Sequence, residues 1–123
     1  MPREPTSYAQ QIHIHETQGR TVVQLLGEID IAVVLLITAA VDATTGRPNS
    51  HVVVDLRPVE FLDCCGLGLL CRARRRTEER GGHLTLVCPQ PGIRRMIRIV
   101  GLSQVLVLTN TLAEALDGRT SVS

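Results

Sequence analysis

The 123-residue chain predicts an α/β fold, a single layered domain around a mixed, mainly parallel sheet of four to five strands with about four helices. Three observations predict it. Short strand-like runs alternate with segments of helical length. One of those runs, His51-Val-Val-Val-Asp55-Leu56, has the unbroken apolar centre of a strand buried on both faces. The core is aliphatic, because the chain has one Tyr, one Phe and no Trp. A domain of this size buries such a core without staples. The expected domain spans 9–118, with polar ends at 1–8 and 119–123 expected to be poorly ordered.

Each element follows from local pattern. Ile12, Ile14 and Glu16 alternate with His13, His15 and Thr17, as in a half-buried strand. Gln18-Gly19-Arg20 reads as a hairpin turn, and 21–26 returns as a second strand. Gly27-Glu28-Ile29-Asp30 ends that strand, and Asp30 is placed to cap a helix over 31–43. This helix carries no charge before Asp42 and, from Ile31 to Val41, only Thr38 as a polar residue. Its β-branched residues also suit a strand; length and cap select the helix. Gly46, Pro48 and Asn49 break the chain before the buried strand.

Residues 58–63 read as a connecting segment. The next helix, over 66–80, turns Leu67, Leu69, Leu70, Cys71 and Ala73 inward and its arginines outward. Gly81-Gly82 stops it as a C′ glycine does. A strand over 83–87, a helix over 89–100 ended by Gly101, a strand over 105–108 and a helix over 111–116 complete the chain. Glu114 is placed to form a capping box with Thr111. The order β-β-α-β-α-β-α-β-α implies one antiparallel hairpin and right-handed parallel crossovers.

Composition excludes several functions. A formal net charge of +1 gives no field to draw nucleic acid or anionic lipid. Arg72, Arg74, Arg75, Arg76 and Arg80 are diluted by Glu78 and Glu79, which suits a solvated helix face. Scarce aromatics leave no platform for stacking bases. The first eleven residues hold no apolar run, and the longest such run, 31–41, falls short of the roughly 20 residues that span a bilayer. The expectation is a cytoplasmic chain with reduced cysteines and no membrane or nucleic-acid partner.

Nor does the pattern suggest catalysis. Cys64, Cys65, Cys71 and Cys88 include no Cys-x-x-Cys pair, so no metal site is expected. A cysteine phosphatase would place Arg six residues after its nucleophile, where Leu70 and Cys71 stand. Gly66-x-Gly68 opens a helix, but Cys71 stands where a dinucleotide loop has its third Gly. No Ser-His-Asp order or carboxylate pair suggests hydrolysis. We expect no enzyme and no cofactor.

The stretch Val52-Val-Val-Asp-Leu-Arg-Pro-Val-Glu-Phe-Leu-Asp-Cys-Cys-Gly-Leu-Gly-Leu-Leu70 carries more. It resembles the STAS domain, and within it the bacterial anti-sigma factor antagonists. That family has a buried strand ending in Asp-Leu, a spacer, then Asp-Ser-Ser-Gly-Leu-Gly opening a helix. Gly27-Glu28-Ile29-Asp30 is similar to its Gly-Glu-Leu-Asp, Gly81-Gly82-His83-Leu84 to its Gly-Gly-x-Leu, and the segment ending Val100-Gly101-Leu102 to its later helix and turn. The resemblance implies a partner switch. An anti-sigma factor of the serine-kinase type holds a sigma factor, the unphosphorylated antagonist binds the kinase, and phosphorylation of the first Ser switches the antagonist off. It places Asp63, Cys64, Cys65 and Gly66 at the centre of the partner face, with Glu28 and Asp30 flanking. A phosphate there would meet free N–H groups at a helix start and add negative charge beside Asp63.

The sequence departs from that family at this site. Cys64 stands in place of the phosphorylated Ser and Cys65 in place of the second. Three readings follow: an antagonist that is never switched off, a redox-responsive thiol protein, and a STAS scaffold subunit of a larger signalling complex. For the redox reading, the helix start should lower a thiol pKa while Asp63 opposes it. Cys88, at the end of the following strand, is a candidate for bridging Cys64 or Cys65. The plainer alternative is that both cysteines are small residues filling a tight turn. The apolar helix over 31–41 is a second departure and must be covered, by a homodimer contact or by the partner.

Overall fold

The computed structural model describes residues 11–117. The expected soft ends lie outside the described residues. The chain forms strands β1 (Ile12–Thr17), β2 (Arg20–Leu25) and β3 (Gly27–Ile29), helix α1 (Ile31–Thr45), strands β4 (His51–Asp55) and β5 (Val59–Leu62), helix α2 (Cys64–Glu79), strand β6 (His83–Val87), helix α3 (Pro91–Ile99), strand β7 (Val107–Thr109) and helix α4 (Leu112–Leu116). The main sheet has the order β1-β2-β4-β6-β7, and β3 pairs with β5 as a separate two-stranded ribbon. Only β1 and β2 are antiparallel. Their turn is Gln18-Gly19, with φ of 53° and 75°, the doubly left-handed geometry that matches the twist of a tight hairpin.

The five-stranded mixed sheet and four helices are those the sequence predicts; the differences are local. Gly27–Ile29, expected to end the second strand, is a strand of its own. Gly27, at φ +78°, turns the chain out of the main sheet. The connecting segment 58–63 contains β5, which gives β3 its partner. The helix expected from Gly66 begins at Cys64. The last strand starts at Val107 because the N–H groups of Val105 and Leu106 both bond to Leu102 O, which coils that stretch.

Alternation along the strands sorts side chains into two layers. Towards α1, α2 and α3, the residues Val23, Leu25, Val52, Val54, Leu84 and Leu86 pack with Ile37, Leu70, Ala73 and Ile97. On the other face, Val22, Val53 and Val87 meet, among the described residues, the short α4 through Ala115, Leu112 and Leu116. Each fully buried Val, Leu or Ile among them contributes about 1.5–3 kcal/mol.

The arginines of α2 are not simply a solvated face. Arg72 makes a bidentate pair with Asp42 at 2.8 Å for each bond. Arg76 donates to Asp42 O at 2.9 Å, and Arg80 to Gly46 O at 3.0 Å. Both bonds fall on carbonyls at the end of α1, where Asp42 O also accepts from Gly46 N at 2.9 Å. Arg74 pairs with Glu78 along the helix. Cys71, expected in the core, is half-buried on the flank of α2.

Candidate docking site at the two helix starts

The β3–β5 ribbon builds the site. Its parallel register pairs Glu28 with Phe61 and Ile29 with Leu62. The next residue on each strand is an aspartate, and Asp63 N bonds to Ile29 O at 3.4 Å. Asp30 and Asp63 thus leave the ribbon together, and each caps a helix. Asp30 accepts from Val33 N at 3.2 Å, starting α1. Asp63 Oδ1 accepts from Cys65 N at 2.9 Å and Gly66 N at 3.0 Å, starting α2. Caps of this kind are worth about 0.5–2 kcal/mol each. They also aim two helix N-termini at one surface.

Of the residues the sequence singles out, the structure brings Asp30, Asp63, Cys64, Cys65 and Gly66 to this corner, with Glu28 exposed on the ribbon. Cys64 is the first residue of α2 and is exposed; Cys65 is half-buried. The Cys65 thiol is pushed up from its ordinary value by burial first, then by the charge of Asp63 and by Cys64. The lowering expected from the helix start is not found at Cys65, where Asp63 already takes the neighbouring N–H groups.

Cys88 corrects the bridging expectation. It is fully buried in the core at the end of β6, and burial pushes its thiol up. All four cysteines are free, so no disulfide ties Cys88 to Cys64 or Cys65.

Gly66 is fixed by packing. A Cβ there would overlap Leu62 Cδ1 and lie 3.2 Å from Ile29 O. Gly68, two residues on, faces open space. The two glycines should therefore respond in opposite directions. Gly66→Ala is expected to destabilise the fold by about 1–3 kcal/mol. Gly68→Ala should stabilise it by up to about 1 kcal/mol. Urea unfolding of both variants checks this; equal effects would remove the packing argument.

Sequence reasoning missed what surrounds the corner. Phe61, half exposed beside Glu28, adds an aromatic face. Its being the chain's single Phe, two residues before Asp63, was the available signal. The outward side of α1, the apolar run that the sequence does single out, presents Ile31, Ala32, Leu35, Leu36, Ala39 and Ala43, all exposed and none charged, with Leu35 at 74% exposure. Gln90 holds the ribbon from behind by donating to Leu56 O at 2.6 Å and Val59 O at 2.9 Å. Asp55 closes β4 with a buried carboxylate that accepts from Arg57 Nε at 2.9 Å, Arg57 Nη2 at 2.8 Å and Gln24 Nε2 at 3.0 Å.

Among the described residues no group of three His, Cys, Asp or Glu could hold a metal ion, and no helix is long and apolar enough to cross a membrane. The fold and this corner define a class: a small α/β domain in which two helix starts share one exposed corner. Comparison with known proteins gives the family. The STAS domain profile matches residues 11–115, and the chain belongs to the STAS domain family. It is 30% identical over 117 residues to an anti-sigma-F factor antagonist of Mycobacterium tuberculosis, covering 92% of this chain and 90% of that one. A crystal structure of an anti-sigma factor antagonist from Mycobacterium paratuberculosis superposes with a TM-score of 0.77 at 30% identity, covering 87% of this chain and 91% of the other. The Bacillus cell fate determinant SpoIIAA in its phosphorylated form superposes with a TM-score of 0.67 at 25% identity, covering 87% and 97%.

Proposed function

We propose that this protein is an anti-sigma factor antagonist whose partner is an anti-sigma factor of the serine-kinase type, and that Cys64 has removed the phosphorylation switch. One observation carries the reading. The exposed first residue of α2, held by the Asp63 cap and flanked by Asp30, is a thiol. A hydroxyl there could accept a phosphoryl group into the field of the helix start. A thiol is not a substrate for a serine kinase, so the protein stays competent to bind. The relatives' names support the antagonist role, and SpoIIAA has been solved in both unphosphorylated and phosphorylated forms. The protein acts in the cytoplasm, by binding and without turnover.

The apolar side of α1 runs on from Asp30 without a charge, so one partner covers both it and the Cys64 corner. A homodimer through α1 is the other occupant that the sequence suggests. Sedimentation separates the two: a monomer that becomes a heterocomplex with the kinase supports the partner, and a dimer that the kinase does not disturb supports self-association.

The decisive experiment uses the host's anti-sigma kinases with nucleotide. Wild-type protein is expected to bind and to gain no phosphate. Cys64→Ser is expected to bind and to gain one phosphoryl group, about 80 Da by intact mass. Phosphate on the wild type would overturn the reading. Binding in only the reduced or only the oxidised state would make Cys64 a redox switch. No binding to any kinase would move the assignment to a scaffold subunit.

A further inference from the structure

A second site lies at the opposite end of the strands. All four histidines of the chain, His13, His15, His51 and His83, fall on the sheet face that carries α4. Two of them stand side by side. His51 and His83 are register partners at the first positions of β4 and β6, with ring centroids 5.5 Å apart and planes tilted by 52°. Thr21 pairs with Val52, so Arg20, one residue earlier, stands beside His51. Three neighbouring strands thus begin with a cationic or protonatable side chain in one row, at strand spacings of about 4.8 Å.

This row lines a cleft of 480 Å³. Val53, Thr85, Val107 and Ala115 form its body, and Glu78 and Asp117 stand at its rim. Glu78 is paired with Arg74 at 2.9 Å. Among the described residues the Arg20 side chain has no carboxylate partner and makes a long 3.4 Å contact to Gln18 O. The cleft therefore has a basic wall from β2, β4 and β6 and an acidic rim from α2 and the end of α4. Nothing in the docking function uses it.

We infer that this cleft binds a small phosphate monoester bearing hydroxyl groups, of the sugar-phosphate class. A tetrahedral dianion bridges two imidazoles at this separation and takes a charge-assisted bond from Arg20. The volume is in the range of small-molecule sites and much exceeds a bare phosphate. The rim carboxylate of Asp117, unlike the Arg74-paired Glu78, is placed to accept from hydroxyls, so an anion alone leaves part of the site unused. Because the cleft sits at the N-terminal ends of β4 and β6, away from Asp63 and Cys64, the inference does not depend on the partner reading.

The test is a titration of the full chain with ribose 5-phosphate and, separately, with inorganic phosphate at matched ionic strength, read by the imidazole signals of the four histidines in NMR. A bound dianion changes the surroundings of His51 and His83, so their imidazole signals should move with added ligand while those of His13 and His15, which do not line the cleft, stay in place. Ribose 5-phosphate should bind at least about fivefold more tightly than inorganic phosphate. Arg20→Gln should weaken both by about tenfold or more. Asp117→Asn should erase the preference for the sugar phosphate without weakening inorganic phosphate. Equal shifts at all four histidines, or none, would overturn the site. Equal affinity for the two ligands would overturn the sugar-phosphate class.

Discussion

Replacing Arg57 with Ala is expected to destabilise the fold by about 2–4 kcal/mol, more than replacing Asp55 with Asn. The Asp55 side chain is 1% exposed whereas that of Arg57 is 45% exposed. Removing Arg57 leaves a buried carboxylate with only Gln24 and a backbone N–H, while removing the charge of Asp55 frees Arg57 to turn to water. The pH dependence has a definite sign. Burial alone would raise the Asp55 pKa, but the bonds from Arg57 and Gln24 outweigh it, and the net displacement is below the ordinary 3.8. A carboxylate lowered in the folded state adds stability above its unfolded pKa, and that contribution is lost as pH falls through the folded value. The wild type should therefore lose its advantage over Asp55→Asn below about pH 4. In Arg57→Ala burial is opposed only by Gln24 and the backbone N–H of residue 57, so the deficit should shrink on acidification from neutral pH. Urea unfolding of the three proteins between neutral and acidic pH measures this. An Arg57→Ala deficit that does not depend on pH would mean the pair is not the source.

Cys64→Glu is expected to weaken binding to the anti-sigma factor at least about 100-fold, or about 2.7 kcal/mol, with the fold intact. Glu at the first helical position interacts well with the helix start, so thermal stability should hold or rise slightly. The loss in binding then reports charge placed in the interface, beside Asp63. Cys64→Ala, which adds no charge, should bind within about threefold of wild type. Calorimetry on both variants decides it. Undiminished binding by Cys64→Glu would place the partner elsewhere on the surface.

The parts of the fold legible in the sequence were those with long or punctuated signals. The Val52-Val53-Val54 run gave β4, and the caps gave the starts of α1 and α4. Gly81, at φ +83°, marked the end of α2. The β3–β5 ribbon was not legible, because strands of three and four residues are too short to show alternation. The start of α2 was read two residues late because Gly66 looks like a breaker. Its role is close packing against Leu62 and Ile29, which local pattern does not encode. Asp63 and Cys64 stand out as candidate site residues through the family's motif. The row of Arg20, His51 and His83 depends on register between strands some thirty residues apart, and no local window contains that.

The paired caps have a kinetic consequence. Asp30 and Asp63 set both helix starts in one hydrogen-bonded frame, so the proposed docking face consists of the ends of regular elements and not of free loops. Such a face needs little ordering when a partner arrives, and the entropic cost of association is correspondingly small. Encounter rates should then be similar for competing anti-sigma factors, and how long each complex lasts should decide which one the protein occupies.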